Sequence, residues 1–190
     1  EEELSRRFQV SRGPVREALR ILEKDSVVVI LPHRGAHVTE LSAKEVQDIF
    51  SIRKALIGLA IRGFDALAEA DLDEIDRQVG EMQELAARNE SDAAHADYAR
   101  ASARLHLFIA ARSDNKHLVE MIRSLARQTY RYTLLALGSP EARRRSAETW
   151  AEMAALLRKG RMRHAADLAG ELIDRSRAAA SARLERKSAG

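Results

Sequence analysis

The chain has 190 residues, a formal net charge of +3, 45% hydrophobic residues and only 4% aromatics. That is apolar material for one large core or two small ones, and a mixture rich in Ala, Leu and Arg favours helices over sheets. With no cysteine, disulfides, thiolate catalysis and Cys-ligated zinc are excluded; no apolar run reaches the length of a membrane span and no signal peptide is visible, so a cytoplasmic protein is expected.

Residues 1–10 are expected to form a short helix, with Leu4 and Phe8 spaced i, i+4 for packing. Glu1 already lies inside that helical pattern, so the natural N-terminus is expected upstream. Gln9-Val10 is a tight connection to Ser11, the expected N-cap of a second helix running to about Lys24. Pro14 falls in its first turn, where a missing N–H costs little. Val15, Ala18, Leu19 and Leu22 form one apolar stripe, while Arg12, Arg16 and Arg20 repeat every four residues on roughly the opposite side. Helix, short turn and helix make a helix-turn-helix. From Leu4 to Lys24, six basic residues face only two acids, the local excess that a polyanion partner calls for, although a solvated helix face carries similar charge. An apolar back with an arginine front suits the major groove of DNA, where Arg reaches phosphates or grips guanine O6 and N7.

Asp25-Ser26 breaks the second helix. Val27 to Leu31 is a β-branched run that reads as a strand, Pro32-His33-Arg34-Gly35 as a turn, and Ala36 to Thr39 as the returning strand. Such a hairpin with a basic tip is a wing, which would lie along flanking backbone with Arg34 and His33 near phosphate or minor groove.

The run Ser11-Arg12-Gly13-Pro14-Val15-Arg16-Glu17-Ala18-Leu19, followed by the hairpin at residues 31–38, resembles the winged helix-turn-helix of the GntR family of bacterial transcription regulators. The resemblance implies that Arg12 and Arg16 contact DNA from a recognition helix and that His33, Arg34 and Gly35 meet the groove edge. It makes Arg7 and Ser11 phosphate contacts. The family's usual first helix is missing upstream. Ser26 stands where the family carries Gly, so a strained or differently built turn is expected there.

Beyond Thr39 the pattern changes to long helices. Ser42 caps a stretch to about Leu67, with Val46, Ile49, Phe50, Leu56, Ala60 and Phe64 inward. Further helices are expected from Asp71 to Asn89, from about Asp92 to Arg112, from about Asn115 to Leu137, from Pro140 to Lys159, and from Arg161 to about Lys187. Gly138-Ser139-Pro140 and Gly160 supply the breaks. The expected fold is mainly α: a winged helix-turn-helix DNA-binding domain over residues 1–41, then an all-α antiparallel bundle over 42–190 that binds an effector and dimerises.

Ile52-Arg53-Lys54-Ala55-Leu56 and Leu105-His106 followed by Ser113-Asp114-Asn115 resemble motifs of the FadR-like branch, whose C-terminal domain is called FCD. Many members of that branch hold a divalent metal with an Asp and a His four residues apart plus two later His. Here His106 is kept, Ser102 stands at the Asp position, and the later His positions fall near Trp150 and Ile173. The expectation is therefore no cofactor and no bound metal, with His106 the sole ligand if one is present. His95 and Asp97 fall on different helix faces, and His164 with Asp167 lacks partners.

Bundle interiors are natural small-molecule sites. Arg53, Ser102, His106, Tyr130, Arg131 and Trp150 are the candidate effector residues, and an Arg in such a pocket favours a carboxylate or phosphate. His106 and Trp150 read equally as satisfied core residues, and Arg53 as a salt-bridge partner of Asp48 or Glu45. No catalytic residue is assigned, since neither a phosphate loop nor a defensible Ser/His/Asp arrangement is present. The function expected is a homodimeric regulator of operator DNA, switched by an organic acid or related metabolite. The alternatives are a metal-dependent sensor of the same family, a DNA binder with no effector, and an enzyme with a DNA-binding appendage.

Overall fold

The computed structural model describes residues 1–32, 34–88 and 92–188. They divide into two compact units, Glu1–Leu41 and Ser42–Gly190.

In the first unit, α1 (Glu2–Phe8) and α2 (Arg12–Lys24) precede a hairpin of β1 (Val28–Leu31) and β2 (Gly35–Val38). The strands are antiparallel, with Val28 opposite Val38 and Leu31 opposite Gly35. Val15 and Leu19 of α2 and Val28 of β1 make the core, with Leu4, Leu22 and Val27 packed against it. Ala18, at the margin of the expected stripe, is exposed. Phe8 is a larger departure: it is 65% exposed rather than packed beside Leu4. The small core engages one turn of α1, Leu4 fills it, and the chain turns away immediately after Phe8.

Both helices stop in the same way. Gln9 and Ser26 take left-handed φ values of 54° and 56°. After α2, Ser26 N–H donates to Glu23 O at 2.9 Å and Val27 N–H to Leu22 O at 2.9 Å, the paired bonds of a Schellman stop. The strained turn expected from a serine at this position is therefore present, and a Cβ in that conformation costs roughly 1–2 kcal/mol. Gly35 enters β2 at φ 77°, a value that a glycine adopts without strain.

The second unit contains α3 (Ala43–Arg62), α4 (Glu69–Ala87), α5 (Asp92–Ala110), α6 (Lys116–Ala136), α7 (Pro140–Arg158) and α8 (Met162–Ser188). Three of their starts are fixed by side-chain caps. Ser42 and Glu45 form a reciprocal capping box. Asn115 Oδ1 accepts from Leu118 N–H at 3.0 Å, and Ser139 Oγ accepts from Ala142 N–H at 3.1 Å ahead of Pro140. α3 stops at Arg62 rather than Leu67, because Gly63 ends it and the next amide, Phe64 N–H, bonds back only three residues to Ile61 O. Phe64 nevertheless remains buried, as its place in the pattern implied. α4 begins at Glu69, two residues before the expected Asp71.

α3 packs on α8 and α6, α4 on α5 and α7, and α7 on α8, so the six helices enclose one core. Phe50, Ile57, Ile75, Leu105, Met153 and Trp150 are among its most deeply buried side chains. Each such burial is worth roughly 1.5–3 kcal/mol. Among the described residues no helix is long and apolar enough to cross a membrane.

Candidate functional sites

α2 presents a one-sided charge distribution. Val15 and Leu19 are buried, whereas Arg12, Arg16 and Arg20 are exposed. Two of these arginines pair with Glu1 and Glu2, at the N-terminal end of α1. Arg16 Nη2 lies 3.0 Å from Glu1 Oε2, and Arg12 Nη2 lies 3.5 Å from Glu2 Oε2. The Arg16 hydrogen bond holds the Glu1 carboxyl below the usual carboxylate range. Exposed pairs of this kind are weak, so a phosphate can replace either carboxylate. Ser11 occupies the N-cap position, but its hydroxyl makes no capping hydrogen bond. Arg7 is exposed on the last turn of α1. At the hairpin, Arg34 N–H closes the turn onto Leu31 O at 3.1 Å, and both Arg34 and Gly35 are exposed. His33 lies outside the described residues.

The bundle holds a cavity of about 340 Å³. Arg53 comes from α3, Ser102 and His106 from α5, Tyr130 from α6, and Trp150 from α7, while α8 closes the far wall with Leu172, Ile173, Arg175 and Ser176. Five of the six expected effector residues thus line one space. Arg131 does not. Its guanidinium carbon lies 4.7 Å from the Tyr132 ring centroid, and Nη2 donates to the Tyr132 hydroxyl at 2.8 Å. One residue after Tyr130 on a helix, Arg131 necessarily points to another face.

Arg53 is only 9% exposed. Nη1 donates to Thr129 Oγ1 at 2.6 Å, and the guanidinium lies 5.4 Å from the Phe50 ring centroid. The carboxylates expected beside it are engaged elsewhere: Asp48 pairs with Lys44, and Glu45 caps its own helix. Among the described residues no carboxylate pairs with Arg53. Burial pulls its pKa down to about 10, so it keeps its proton at neutral pH. Burial, aided by the Arg53 charge, pushes His106 down to about 3 and leaves the imidazole neutral. The His106 and Trp150 rings meet edge to face, 5.8 Å apart at 86°, and Trp150 Nε1–H donates to Ser102 Oγ at 3.3 Å. Both rings are core residues and cavity wall at once.

The family resemblance places metal ligands at Ser102 and His106 and near Trp150 and Ile173. All four line this cavity. Only His106 offers a good donor, and a protein zinc site needs three or four. Among the described residues no group of three or more His, Asp or Glu converges anywhere. The wall does not fit a metal. His95, on α5, is occupied separately, its ring nitrogen 2.6 Å from Leu134 O.

Sequence reasoning missed Thr129, Arg145 and Arg175. Arg145 lies beside Ala142, Ser146 and Trp150 on the lining face of α7, and Arg175 beside Leu172, Ile173 and Ser176 on α8. Helical register counted from Trp150 and Ile173 does not carry that signal, since Arg145 stands five residues from the one and Arg175 two from the other.

The sequence profile of the FCD domain matches residues 48–175, and that of the bacterial regulatory proteins of the gntR family matches residues 1–38. The uncharacterized HTH-type transcriptional regulator YdhC of Bacillus subtilis (strain 168) is 32% identical over 123 residues, which is 64% of this chain and 54% of that protein. The chain spans 54%, 33% and 65% of the lengths of three curated relatives it matches. A GntR family member from Pseudomonas syringae pv. tomato str. DC3000 superposes with TM-score 0.63 at 25% identity, over 100% of this chain and 77% of that one. McbR/YncC of E. coli shares the fold, with TM-score 0.77 at 22% identity over 93% of this chain and 83% of that one.

Proposed function

Because the chain belongs to the FCD domain family and carries a gntR-type segment at residues 1–38, we propose that it is a DNA-binding transcription regulator controlled by a small organic acid. The observation that carries the DNA-binding half is the exposed Arg12, Arg16 and Arg20 face of α2, opposite a buried Val15 and Leu19. In this reading α2 is the recognition helix. Arg12 and Arg16 reach base edges or phosphates, Arg7 and the unengaged Ser11 hydroxyl meet backbone phosphates, and His33, Arg34 and Gly35 form the tip of the wing. A homodimer would present two such helices to a near-palindromic operator, in the cytoplasm, and no catalytic step is assigned.

The effector half rests on Arg53. A buried guanidinium without a carboxylate partner is costly unless something else answers its charge. A ligand carboxylate in the cavity answers it, with Ser102, His106, Tyr130 and Trp150 as the surrounding wall. The cavity falls near the lower end of the range for small-molecule sites, roughly 300–1,000 Å³. A ligand bound there acts by having different affinities for two arrangements of the dimer. Of the alternatives, a metal-dependent sensor is disfavoured by Ser102, Trp150 and Ile173, and an effector-free DNA binder by the charge left on Arg53.

Duplexes selected from a random pool test both halves in a gel-shift assay with a panel of organic acids. A selected duplex should bind at low micromolar protein or better, and one class of acid should change that affinity. Failure to enrich any duplex contradicts the DNA-binding half, and indifference to every acid contradicts the effector half.

A further inference from the structure

We infer that the bundle cavity takes a compact monocarboxylic acid with a largely apolar body and binds it without a metal, the carboxylate on Arg53 and the body against Trp150 and the alanine-rich wall. The inference rests on the reading of the cavity as the effector site and narrows what enters it.

Charge comes first. The lining holds three arginines and no Asp or Glu. Two arginines already have acid partners: Arg145 lies 3.2 Å from Glu141, and Arg175 lies 3.0 Å from Glu171. Arg175 also donates to Thr149 Oγ1 at 2.7 Å. Among the described residues Arg53 has only the Thr129 hydroxyl and the face of the Phe50 ring. One unanswered cation matches one carboxylate. A second carboxylate on the same ligand would have to displace Glu141 or Glu171 from these exposed pairs, so the wall's excess of one positive charge favours a single carboxylate on the buried Arg53.

A divalent ion would relax that limit by supplying positive charge for a polycarboxylate. The positions that would hold it are filled by chemistry that cannot. Trp150 turns its only polar atom away to Ser102, and Ile173 has none.

Most of the remaining wall is apolar, including Ala103, Ala126, Ala142, Leu172 and Ala179, and of its hydroxyls Ser102 already accepts from Trp150 and Ser176 already donates to Leu172 O. Small side chains make the space, and the indole face provides a flat surface for a ring or branched chain. A polar body would lose water there and regain few hydrogen bonds.

Trp150 is the sole tryptophan of the chain, so intrinsic fluorescence reports from this wall. The test titrates the whole chain with benzoate and hexanoate, with benzamide as the uncharged counterpart, and with succinate and citrate. Each titration is run in EDTA and again with added Zn²⁺. Saturable changes with benzoate or hexanoate in EDTA are expected. Benzamide should bind about tenfold or more weakly, the scale of one charge-assisted contact, and Arg53→Gln should lose a similar factor. If Arg53→Gln does not fold, benzoate against benzamide on the unaltered chain decides the same point. Tightest binding by succinate or citrate, or binding that needs Zn²⁺, overturns the monocarboxylate, metal-free inference and leaves the organic-acid reading intact. No saturable change with any acid under either condition overturns both.

Discussion

Trp150 donates its indole N–H to the Ser102 hydroxyl across 3.3 Å, so α7 and α5 are joined at two positions where the family resemblance places metal ligands. A hydrogen bond is the cross-link there, and its consequences are measurable.

Removing the acceptor in Ser102→Ala leaves a buried indole donor unsatisfied. The variant should lose about 1–3 kcal/mol of stability in urea denaturation. Zn²⁺ or EDTA should leave the melting temperature of both proteins unchanged. A metal-dependent rise in the unaltered protein would contradict the assignment of this wall as metal-free.

Arg53 carries a charge in the interior with Thr129 as its only hydrogen-bond partner among the described residues. Replacing an unpaired buried charge by an apolar side chain of similar reach is typically neutral or stabilising. Arg53→Leu should therefore keep or raise the melting temperature while abolishing the response to organic acids. A loss of stability beyond about 2 kcal/mol would mark the guanidinium as a structural element instead.

His106 is neutral in the folded protein, with its pKa pushed down to about 3 against 6.5 when free. Below pH 6.5 the unfolded chain binds a proton that the folded chain refuses, so this residue lowers stability as pH falls from 6.5 towards 3. At pH 5 the contribution is about 2 kcal/mol, at roughly 1.36 kcal/mol per unit. Urea midpoints at pH 7 and pH 5 should differ less in His106→Gln than in the unaltered protein. Equal pH dependence in the two would show that the imidazole takes up its proton without unfolding.

Ser26 holds φ 56° at the end of α2. Glycine enters that region without a Cβ penalty but adds freedom to the unfolded chain. Ser26→Gly should therefore stabilise the first unit by about 0.5–1 kcal/mol, visible as slower exchange of the α2 and β1 amides. Faster exchange would mean that the serine, whose carbonyl accepts from Thr39 Oγ1 at 2.7 Å, is held by more than backbone geometry.

What could be read in the sequence follows from how local each signal is. The α2 stripe at Val15, Leu19 and Leu22, the hairpin and the Ser42 cap depend on neighbours a few residues apart, and the structure contains them, whereas the Ser11 hydroxyl makes no capping bond. Phe8 misled because i, i+4 spacing says which residues share a face, not whether anything covers the second turn. Tyr130 and Arg131 cannot both face the cavity, because adjacent helical residues point about 100° apart. Counting from Tyr130 leads instead to Ala126 and Thr133, which do line the cavity. The partner of Arg53 lies 76 residues away on α6, a pairing that exists only once α3 and α6 have packed. Local acids at Glu45 and Asp48 looked adequate because nothing in a helical pattern reveals that they are taken.

One affinity measurement, made on three proteins, separates reading from switching: fluorescence anisotropy of a selected duplex with the unaltered chain, Arg16→Ala and Arg53→Gln, each with and without benzoate. Arg16→Ala should lose specific binding by roughly 1–3 kcal/mol whether or not the acid is present. Arg53→Gln should bind the duplex like the unaltered chain and lose its response to the acid. Unchanged DNA affinity in Arg16→Ala, or an undiminished benzoate response in Arg53→Gln, would contradict a regulator that reads DNA through α2 and is switched through the bundle cavity.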